Sequence, residues 1–591
     1  MKNWLLIGAL LCSSAAGAQT VRLETDQVRG ALDAASLLRD LRDKEDAVPQ
    51  DFIAAARADY RRLLTALYAA GYYAGTVSIT IDGVEAASIE PLSAPGPITN
   101  ILISVKAGPQ FRFGDVSIAP LPPTAILPDD FATGEPARSD HIRTAVSAGL
   151  NAWREEGHAK ARVASQRIVA RHPATALDVD VVLAPGPRLT FGQLVVAGNR
   201  NVSDERLREI AGLPVGEVYS PATITRVERR LRRTGTFDSV ALTEADDIGP
   251  GDTLQINAQI AESKPRRIGF GLELSSIEGL TLSSFWLHRN LLGGAERLRI
   301  DGEIAGINGE TGSTDYSLRG NFTRPATFGP DTELFLRGEI SREDEPDYLI
   351  DKISAEIGLT RVLSDDLTVE AALGLLTARE ETDLGTREYT LLTLPLRATL
   401  DRRDVPTDAK AGYYADIRTT PFVSLNGDVT GARIFGDART YFTFGETRPF
   451  TLAARAQLGS LVGAGINDAP ADFLFYSGGG GTVRGQPYKS LGIDRVVGTE
   501  TVTTGGTSFI GAQLEARVAV REKLSLVGFY DIGHVGDTSV PLEDGDWHAG
   551  AGVGLRYNTG IGPIRLDIGT EASGDNAGEN IQVYIGIGQA F

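Results

Sequence analysis

The last residues of the chain alternate strictly between apolar side chains and side chains that are polar or small. One face of this segment would carry Ile581, Val583, Ile585 and Ile587, and the other would carry Gln582, Tyr584, Gly586 and Gly588. A transmembrane β-strand has this pattern, with its apolar face toward lipid and its other face toward a lumen. Because hydrocarbon tolerates no unpaired sheet edge, one such strand implies a closed barrel in an outer membrane.

Similar alternation recurs through the second half of the chain. Leu394, Leu396, Ala398 and Leu400 alternate with other residues, and so do Leu452, Ala454, Ala456 and Leu458. At about 10 residues per spanning strand plus turns and outer loops, residues 265–591 have room for 16 strands. No apolar run of about 18 residues follows the N-terminal segment, so the sequence predicts no membrane-spanning helix.

The N-terminus has the features of a secretory signal peptide. Lys2 precedes a short apolar stretch, and the small residues that end at Ala18 suit cleavage after that position. We therefore expect residues 1–18 to be removed and the chain to be exported. The single cysteine, Cys12, lies in this segment, so neither disulfides nor thiol chemistry is expected in the mature chain. A formal charge of −19 argues against a nucleic-acid partner, whose phosphates would require a basic face.

An internal repeat organises the first half of the chain. The segment Gly108–Gly114 recurs as Gly186–Gly192, 78 residues later, and alternating apolar residues follow each copy. A more diverged copy precedes them, with Leu64 and Leu67 on one helical face. Each unit is predicted to run strand, helix, helix, strand, strand. The predicted boundaries are 19–108, 109–187 and 188–264, followed by a barrel over 265–591.

This layout resembles a known family. Three exported α+β units before a barrel are similar to the periplasmic POTRA domains and barrel of the BamA and TamA superfamily of outer-membrane assembly factors. The resemblance implies a transmembrane antiparallel β-barrel of 16 strands.

A glycine-rich segment, Gly478–Tyr488, makes the resemblance specific. It resembles the family's Val-Arg-Gly-Phe/Tyr signature, which lies on a long outer loop folded back into the lumen. The residues that carry the match are Gly481, Val483, Arg484, Gly485 and Tyr488. Gln486 stands where the family has an aromatic residue, and Tyr488 is expected to supply the ring instead.

Arg484 is expected to hold this loop inside the barrel, because its planar guanidinium suits bidentate pairing with a carboxylate. The resemblance implies two acidic partners on later strands, Glu515 and Asp531. The end of the chain is similar to the bacterial β-signal. That signal would be carried by Tyr584, Gly586 and Phe591, with Gln589 where an apolar residue is more usual.

The resemblance implies an assembly factor that promotes insertion of autotransporters or other β-barrel proteins, located in the outer membrane with its POTRA domains in the periplasm. Three units and the chain length are most similar to the TamA branch. Its implied partners are a TamB-like inner-membrane-anchored protein, unfolded outer-membrane protein clients and outer-membrane lipids. Two related alternatives share the layout, a two-partner secretion pore for a dedicated passenger and a BamA-like general insertase.

An outer-membrane enzyme built on a barrel is an alternative of another class. The sequence has no nucleophile elbow, no zinc-helix motif and no phosphate loop. His534, near Asp531, is expected to be a solvated lumen residue rather than a metal ligand. We therefore predict no enzymatic activity, no cofactor and no metal.

Two further expectations concern surfaces. By analogy with the family, the exposed sheet edges of the three units would be the strands near 77–81, 163–168 and 237–243, where an extended client segment could add as a strand. On the closing strand, Ile585→Lys should cost about 2–4 kcal/mol because it faces lipid, whereas Gln582→Lys should cost almost nothing because it faces the lumen.

Overall fold

The computed structural model describes residues 20–591, except 43, 45–46, 91–95, 276–278, 310–312, 346–347, 383–384, 446–448, 498–499, 561, 575–576, 588 and 590. The predicted signal peptide lies outside the described residues. The chain divides into two compact units. One comprises the chain up to Gln193 with 214–224 and 244–256, and the other comprises 194–213, 225–243 and 257–591.

The first sheet packs against one long helix. Its elements are β1 (Thr20–Thr25), α1 (Arg29–Ala35), α2 (Leu37–Leu41), α3 (Pro49–Ala69), β2 (Thr76–Ile81), β3 (Val84–Glu85) and β4 (Asn100–Lys106), with strand order β1-β4-β2-β3. Pro49 opens α3, where a missing N–H costs nothing, and the helix buries Phe52, Leu63 and Leu67. Asp59 of α3 is fully buried and accepts hydrogen bonds from the backbone N–H groups of Leu37 and Leu38, which caps α2.

The second and third sheets each have three strands. The second group is β5 (Arg112–Ala119), α4 (Ser139–Glu155), β6 (Arg162–Arg171) and β7 (Ala176–Ala184), with strand order β5-β7-β6. The third is β8 (Thr190–Ala197), α5 (Asp204–Ala211), α6 (Pro221–Arg233), β9 (Phe237–Glu244) and β10 (Thr253–Glu262), with strand order β8-β10-β9. The side chain of Ser203 accepts from the N–H of Arg206 and so caps α5.

The expectation of two helices in every unit is wrong for the second group, which has the single α-helix α4 among its described residues. The segment before α4 contains Pro122, Pro123, Pro128 and Pro136. Proline removes a backbone donor and disfavours helical geometry in the residue before it, so this segment forms turns.

The expected sheet edges hold for two of the three groups. β6 and β9 lie at the edges of their sheets. β2 instead pairs with the short strand β3 through Thr80 and Ile81. The carboxylate of Glu85 also accepts hydrogen bonds from the Ser78 hydroxyl (2.7 Å) and the Ile79 N–H (3.1 Å). The 77–81 edge is therefore partly covered, which corrects the expectation for that strand.

A closed barrel follows, and the predicted fold class is confirmed. The elements that follow β10 are β11 (Arg266–Ser275), β12 (Gly279–His288), β13 (Arg297–Ile307), β14 (Asp315–Arg324), β15 (Thr332–Glu345), β16 (Tyr348–Val362), β17 (Leu367–Thr382), β18 (Gly385–Thr393), β19 (Leu396–Asp401), β20 (Gly412–Ser424), β21 (Thr430–Phe444), β22 (Phe450–Val462), β23 (Ile493–Val497), β24 (Glu500–Thr504), β25 (Ser508–Arg521), β26 (Leu524–Gly536), β27 (Asp546–Thr559), β28 (Gly562–Glu571) and β29 (Ile581–Ile587). All of these except the hairpin β23–β24 belong to the barrel.

The barrel strands described here correspond to sixteen crossings. β18 and β19 both pair with β17 on one side and with β20 on the other, so they are two parts of one strand interrupted at Leu394 and Pro395. Every pairing between neighbouring barrel strands is antiparallel. Within the described residues, no helix combines the length and apolar character needed to span a membrane.

The closing strand has the two faces that its alternation predicts. Ile581 and Ile585 point outward and are 69% and 46% exposed, whereas Gln582 and Tyr584 are buried inside. Gln582 is nonetheless not a neutral lumen position, because its side-chain oxygen accepts a hydrogen bond from the Tyr584 hydroxyl at 2.8 Å. Gln582→Lys would break this buried contact, so Gln582 is a poor control for the lipid-facing Ile585.

A better matched pair of substitutions lies in the middle of β16. Ile353 points outward and is 54% exposed, whereas the adjacent Ser354 points inward and is paired across the sheet with Glu339. We expect Ile353→Lys to destabilise the barrel by about 2–4 kcal/mol because it places a charge in hydrocarbon, and Ser354→Lys to cost far less. Heat-modifiable migration on gels and urea unfolding in vesicles measure the difference. Equal losses would show that the two faces are assigned wrongly.

Candidate functional site

The loop between β22 and β25 lies against the inner wall of the barrel. Three hydrogen bonds from side chains to backbone carbonyls attach the loop to the wall. Arg455 donates to the carbonyl of Gly481 at 3.2 Å, and Gln513 donates to the carbonyl of Thr482 at 2.7 Å. Gln486 of the loop donates to the carbonyl of Ala549 at 2.8 Å.

Arg484 is the centre of this loop and is fully buried. Its Nε and Nη2 donate to the two oxygens of Asp531 at 2.7 and 2.9 Å, which is the bidentate fork geometry. Its Nη1 donates to Glu515, and its backbone N–H donates to Asp531 at 3.1 Å. The guanidinium also lies 3.8 Å from the centre of the Phe529 ring, a cation–π distance. The structure thus brings Arg484 against both expected acidic residues.

Three more charged residues, which sequence reasoning missed, complete the cluster. Arg517 donates to Glu515 at 2.8 Å, and Arg556 donates to Asp567 and lies 3.5 Å from Glu515. Asp567 also lies 3.4 Å from Arg484. We call Arg484, Arg517, Arg556, Glu515, Asp531 and Asp567 the arginine cluster. Its three guanidinium groups balance its three carboxylates, which buried charges require.

A signal for these residues was present in the sequence. Arg517 stands two residues after Glu515, and Arg556 and Asp567 occupy inward positions of β27 and β28. Glu515 was implied by the family resemblance, and because side chains on one face of a strand recur every second residue, Arg517 lies on the same face as Glu515. Which inward charges meet depends on the register between four strands, which the alternation does not fix.

Gly485 links the loop to the closing strand. It has φ +92°, and a Cβ there would lie 2.4 Å from the carbonyl oxygen of Thr570. Its N–H donates to the Tyr584 hydroxyl at 3.1 Å. Glycine is needed here both for the positive φ and for this close approach to the wall. Tyr584 therefore acts from inside the barrel as a contact for the loop.

The remaining motif residues have different surroundings. Val483 is fully buried, whereas a Cβ at Gly481 would meet no atom within 4 Å. The ring over Arg484 belongs to Phe529 of the wall, and Tyr488 instead lies beside Lys489, 5.3 Å from its ammonium nitrogen. That Tyr488 supplies the aromatic ring of the motif in place of Gln486 stays a prediction.

The loop is also held on the opposite wall. Lys489 donates to Glu345 at 2.8 Å and to the Tyr348 hydroxyl at 2.6 Å. Near the start of the loop, Lys352 of β16 donates to Asp472 at 2.6 Å. The loop consequently crosses the lumen between β15–β16 on one side and β25–β28 on the other.

The chain terminus turns inward after the closing strand. β29 ends at Ile587, and the ring of Phe591 is buried with Ala409, Tyr441 and Ala453. Gln589 donates to Asp408 at 2.8 Å and accepts from Arg556 at 3.0 Å, so its polar side chain suits the interior. Gly586 lies opposite Arg565 in the register of β28 and β29.

The seam between the first and last strands is short. Among the described residues, β11 and β29 are paired at two positions, Leu274 with Ile585 and Ser275 with Tyr584. By contrast, β11 and β12 are paired at ten positions and β28 and β29 at seven. Much of the β11 edge therefore has backbone donors and acceptors without a strand partner among these residues.

Removal of the central guanidinium should release the loop. We expect Arg484→Ala to destabilise the docked loop by about 3–5 kcal/mol, because Asp531 and Glu515 would remain buried without their counter-charge. Arg484→Lys should restore docking only in part, since an ammonium lacks the fork. Protease cleavage within residues 463–507 reports docking. Arg495→Ala on the same loop is the matched control, because Arg495 is only partly buried and donates to the neutral side chain of Asn467. Equal cleavage of the two alanine variants would contradict the anchor role.

The two walls should hold the loop separately. We expect Lys489→Gln to speed amide exchange around 487–491 while residues 482–486 stay protected by the arginine cluster. Hydrogen-exchange mass spectrometry of the full chain in detergent measures both segments. Equal loss of protection in both would show that the loop opens as one unit.

Comparisons with known proteins agree with this geometry. Residues 290–591 match the Omp85 superfamily domain, and residues 189–263 match the POTRA family described as surface antigen variable number repeat. The outer membrane protein assembly factor BamA of Nitratidesulfovibrio vulgaris is 21% identical over 79% of this chain and 60% of its own length. The same factor of Neorickettsia risticii is 22% identical over 80% of this chain and 66% of its own length. The chain thus spans about two thirds or less of these relatives.

Solved structures show the same fold. BamA from Haemophilus ducreyi lacking POTRA domains 1–3 superposes with a TM-score of 0.63 at 16% identity and covers 81% of this chain and 100% of that one. CdiB from Acinetobacter baumannii gives 0.51 at 12% identity and covers 80% of this chain and 89% of that one. The Omp85 domain spans just over half of the sequence, so the chain belongs to the Omp85 superfamily. It is an outer-membrane protein with a periplasmic POTRA region.

Proposed function

We propose that this Omp85 protein is a non-enzymatic assembly factor that inserts β-barrel proteins or autotransporters into the outer membrane through the seam between β11 and β29. The observation that carries the proposal is the imbalance of pairing at the seam, where the described residues form two paired positions against seven to ten in the strand pairs on either side of it. An edge with free backbone groups is a template for strand addition.

The periplasmic sheets support an earlier step of the same function. β6 and β9 are edge strands, so each has one side without a strand partner among the described residues, where an extended client segment could pair. Main-chain pairing gives affinity with little demand on sequence, which suits unfolded outer-membrane protein clients of many kinds.

The finer proposal is a TamA-like role with a TamB-like inner-membrane-anchored partner. Its support is the resemblance of three α+β units followed by one barrel. The BamA relatives favour a general insertase as the alternative within the same mechanism. A gene for a TamB-type protein beside this one would favour the TamA-like role.

A reversible lock tests the seam directly, because the mature chain has no cysteine of its own. We expect an oxidised Leu274→Cys/Ile585→Cys variant, bridged across the seam, to lose insertion of a small unfolded barrel client into vesicles and to regain it on reduction. Leu566→Cys/Ile585→Cys is the matched control, because it bridges β28 and β29 at the same Ile585.

The lock also separates the candidate functions. A two-partner secretion pore moves its passenger through the lumen, so a locked seam would leave export intact. Full client insertion by the oxidised seam variant would overturn lateral insertion, and passenger export that the lock leaves intact would favour the pore.

A further inference from the structure

Three turns at the barrel end that adjoins α5 and α6 each present a large apolar side chain to solvent. These side chains are Leu292 (73% exposed), Phe328 (86%) and Leu363 (55%). Phe328 also has φ +62°, a conformation that bulky residues rarely adopt. Exposure of large apolar side chains to water is unfavourable, and here the conformation of the turn keeps the side chain exposed.

These turns continue the lipid-facing surface of the barrel. On the strands that lead into and out of the Phe328 turn, Phe322 and Leu334 are outward-facing apolar residues. Residues just beyond such a band lie at the level of the lipid headgroups, where barrels carry their aromatic girdles. Because the POTRA region is periplasmic, this end of the barrel faces the inner leaflet of the outer membrane.

The α6 helix brings a basic surface to the same place. Arg230 donates to Asp331 at 3.0 Å, Arg233 donates to the carbonyl of Pro330 at 3.1 Å, and Arg229 pairs with Asp365. These contacts fix the helix against the Phe328 and Leu363 turns.

The basic surface has more positive than negative charge. One side of α6 carries three exposed arginines at helical spacing, Arg226, Arg229 and Arg233. Among the described residues Arg226 has no ion-pair partner. When Arg230 is counted with the three exposed arginines, four guanidinium groups on this surface face two carboxylates. A cleft of about 80 Å³ beside the helix is lined by three arginines, Arg230, Arg233 and Arg297, together with Asp331 and Glu333. In a chain of net charge −19, this positive excess is local.

We propose that Arg226, Arg229 and Arg233, with Phe328 and Leu363, form a binding site for anionic phospholipid headgroups of the inner leaflet. The arginines would donate to phosphate oxygens, and the apolar side chains would enter the interface between headgroups and acyl chains. This site is independent of which clients the seam accepts. It adds a fixed attachment of the α6 helix to the membrane.

A single fluorophore tests the site in the full chain. Thr327→Cys places the mature protein's one cysteine beside Phe328, and vesicles carry headgroup-nitroxide phosphatidylglycerol or headgroup-nitroxide phosphatidylcholine as quencher. We expect both lipids to quench and phosphatidylglycerol to quench more strongly, with a preference that weakens as salt is raised. Quenching by neither lipid would show that the turn does not reach the membrane, and equal quenching would remove the anionic preference; either result overturns the proposal.

Arginine substitutions assign the preference to one side of the helix. Each arginine near an anionic surface is worth about fivefold in local lipid enrichment. Arg226→Gln should therefore reduce the preference by about fivefold. Arg232→Gln is the matched control, because Arg232 is exposed on the same helix but lies off the Arg226 side and pairs with Glu228. Equal loss in the two variants would refute the assignment, and heat-modifiable migration verifies that both barrels are folded.

Discussion

Burial of Arg484 is the interaction on which the interior of this barrel depends. An isolated guanidinium is very costly to remove from water, so it is tolerated only where carboxylates with good geometry surround it. Asp531 supplies both oxygens, and Glu515 supplies a third acceptor. Those carboxylates and Asp567 need counter-charges of their own, which Arg517 and Arg556 provide. The loop, the wall of β25–β28 and the inward-turned terminus are therefore joined through one set of paired charges.

The closing strand β29 makes many more contacts on one side than on the other. On the inside, Tyr584 accepts from Gly485 of the loop, and β29 is fully paired with β28. On its other side, β29 meets β11 at only two positions within the described residues. A docked loop thus steadies the last strand from within while the seam stays weak. The six charged residues of the arginine cluster lie on the loop and on β25–β28, and Arg556 also donates to Gln589, which follows the closing strand.

The contacts of the α6 helix have a corresponding role at the periplasmic end of the barrel. Arg230 and Arg233 both reach Asp331, and the guanidinium of Arg230 holds the pKa of that turn carboxyl below its usual range. The ionised form is therefore the stable one in the folded protein. Stability from this pairing is present above the ordinary pKa of an aspartate and is lost as the pH falls through the lowered value. At neutral pH the POTRA helix and the barrel turn remain joined.

The sequence by itself determined the class of the fold and the centre of the site, because both are written in local patterns. A period of two fixes which side of a strand faces outward, and the resemblance of Gly478–Tyr488 to a family motif marks the loop and Arg484. Only the tertiary structure decided which inward charges meet, since Arg484, Glu515, Arg556 and Asp567 come together through barrel closure and strand register. It also decided that Phe529 provides the ring over Arg484 and that Phe591 turns inside. Those contacts join residues far apart in the chain, and no local period encodes them.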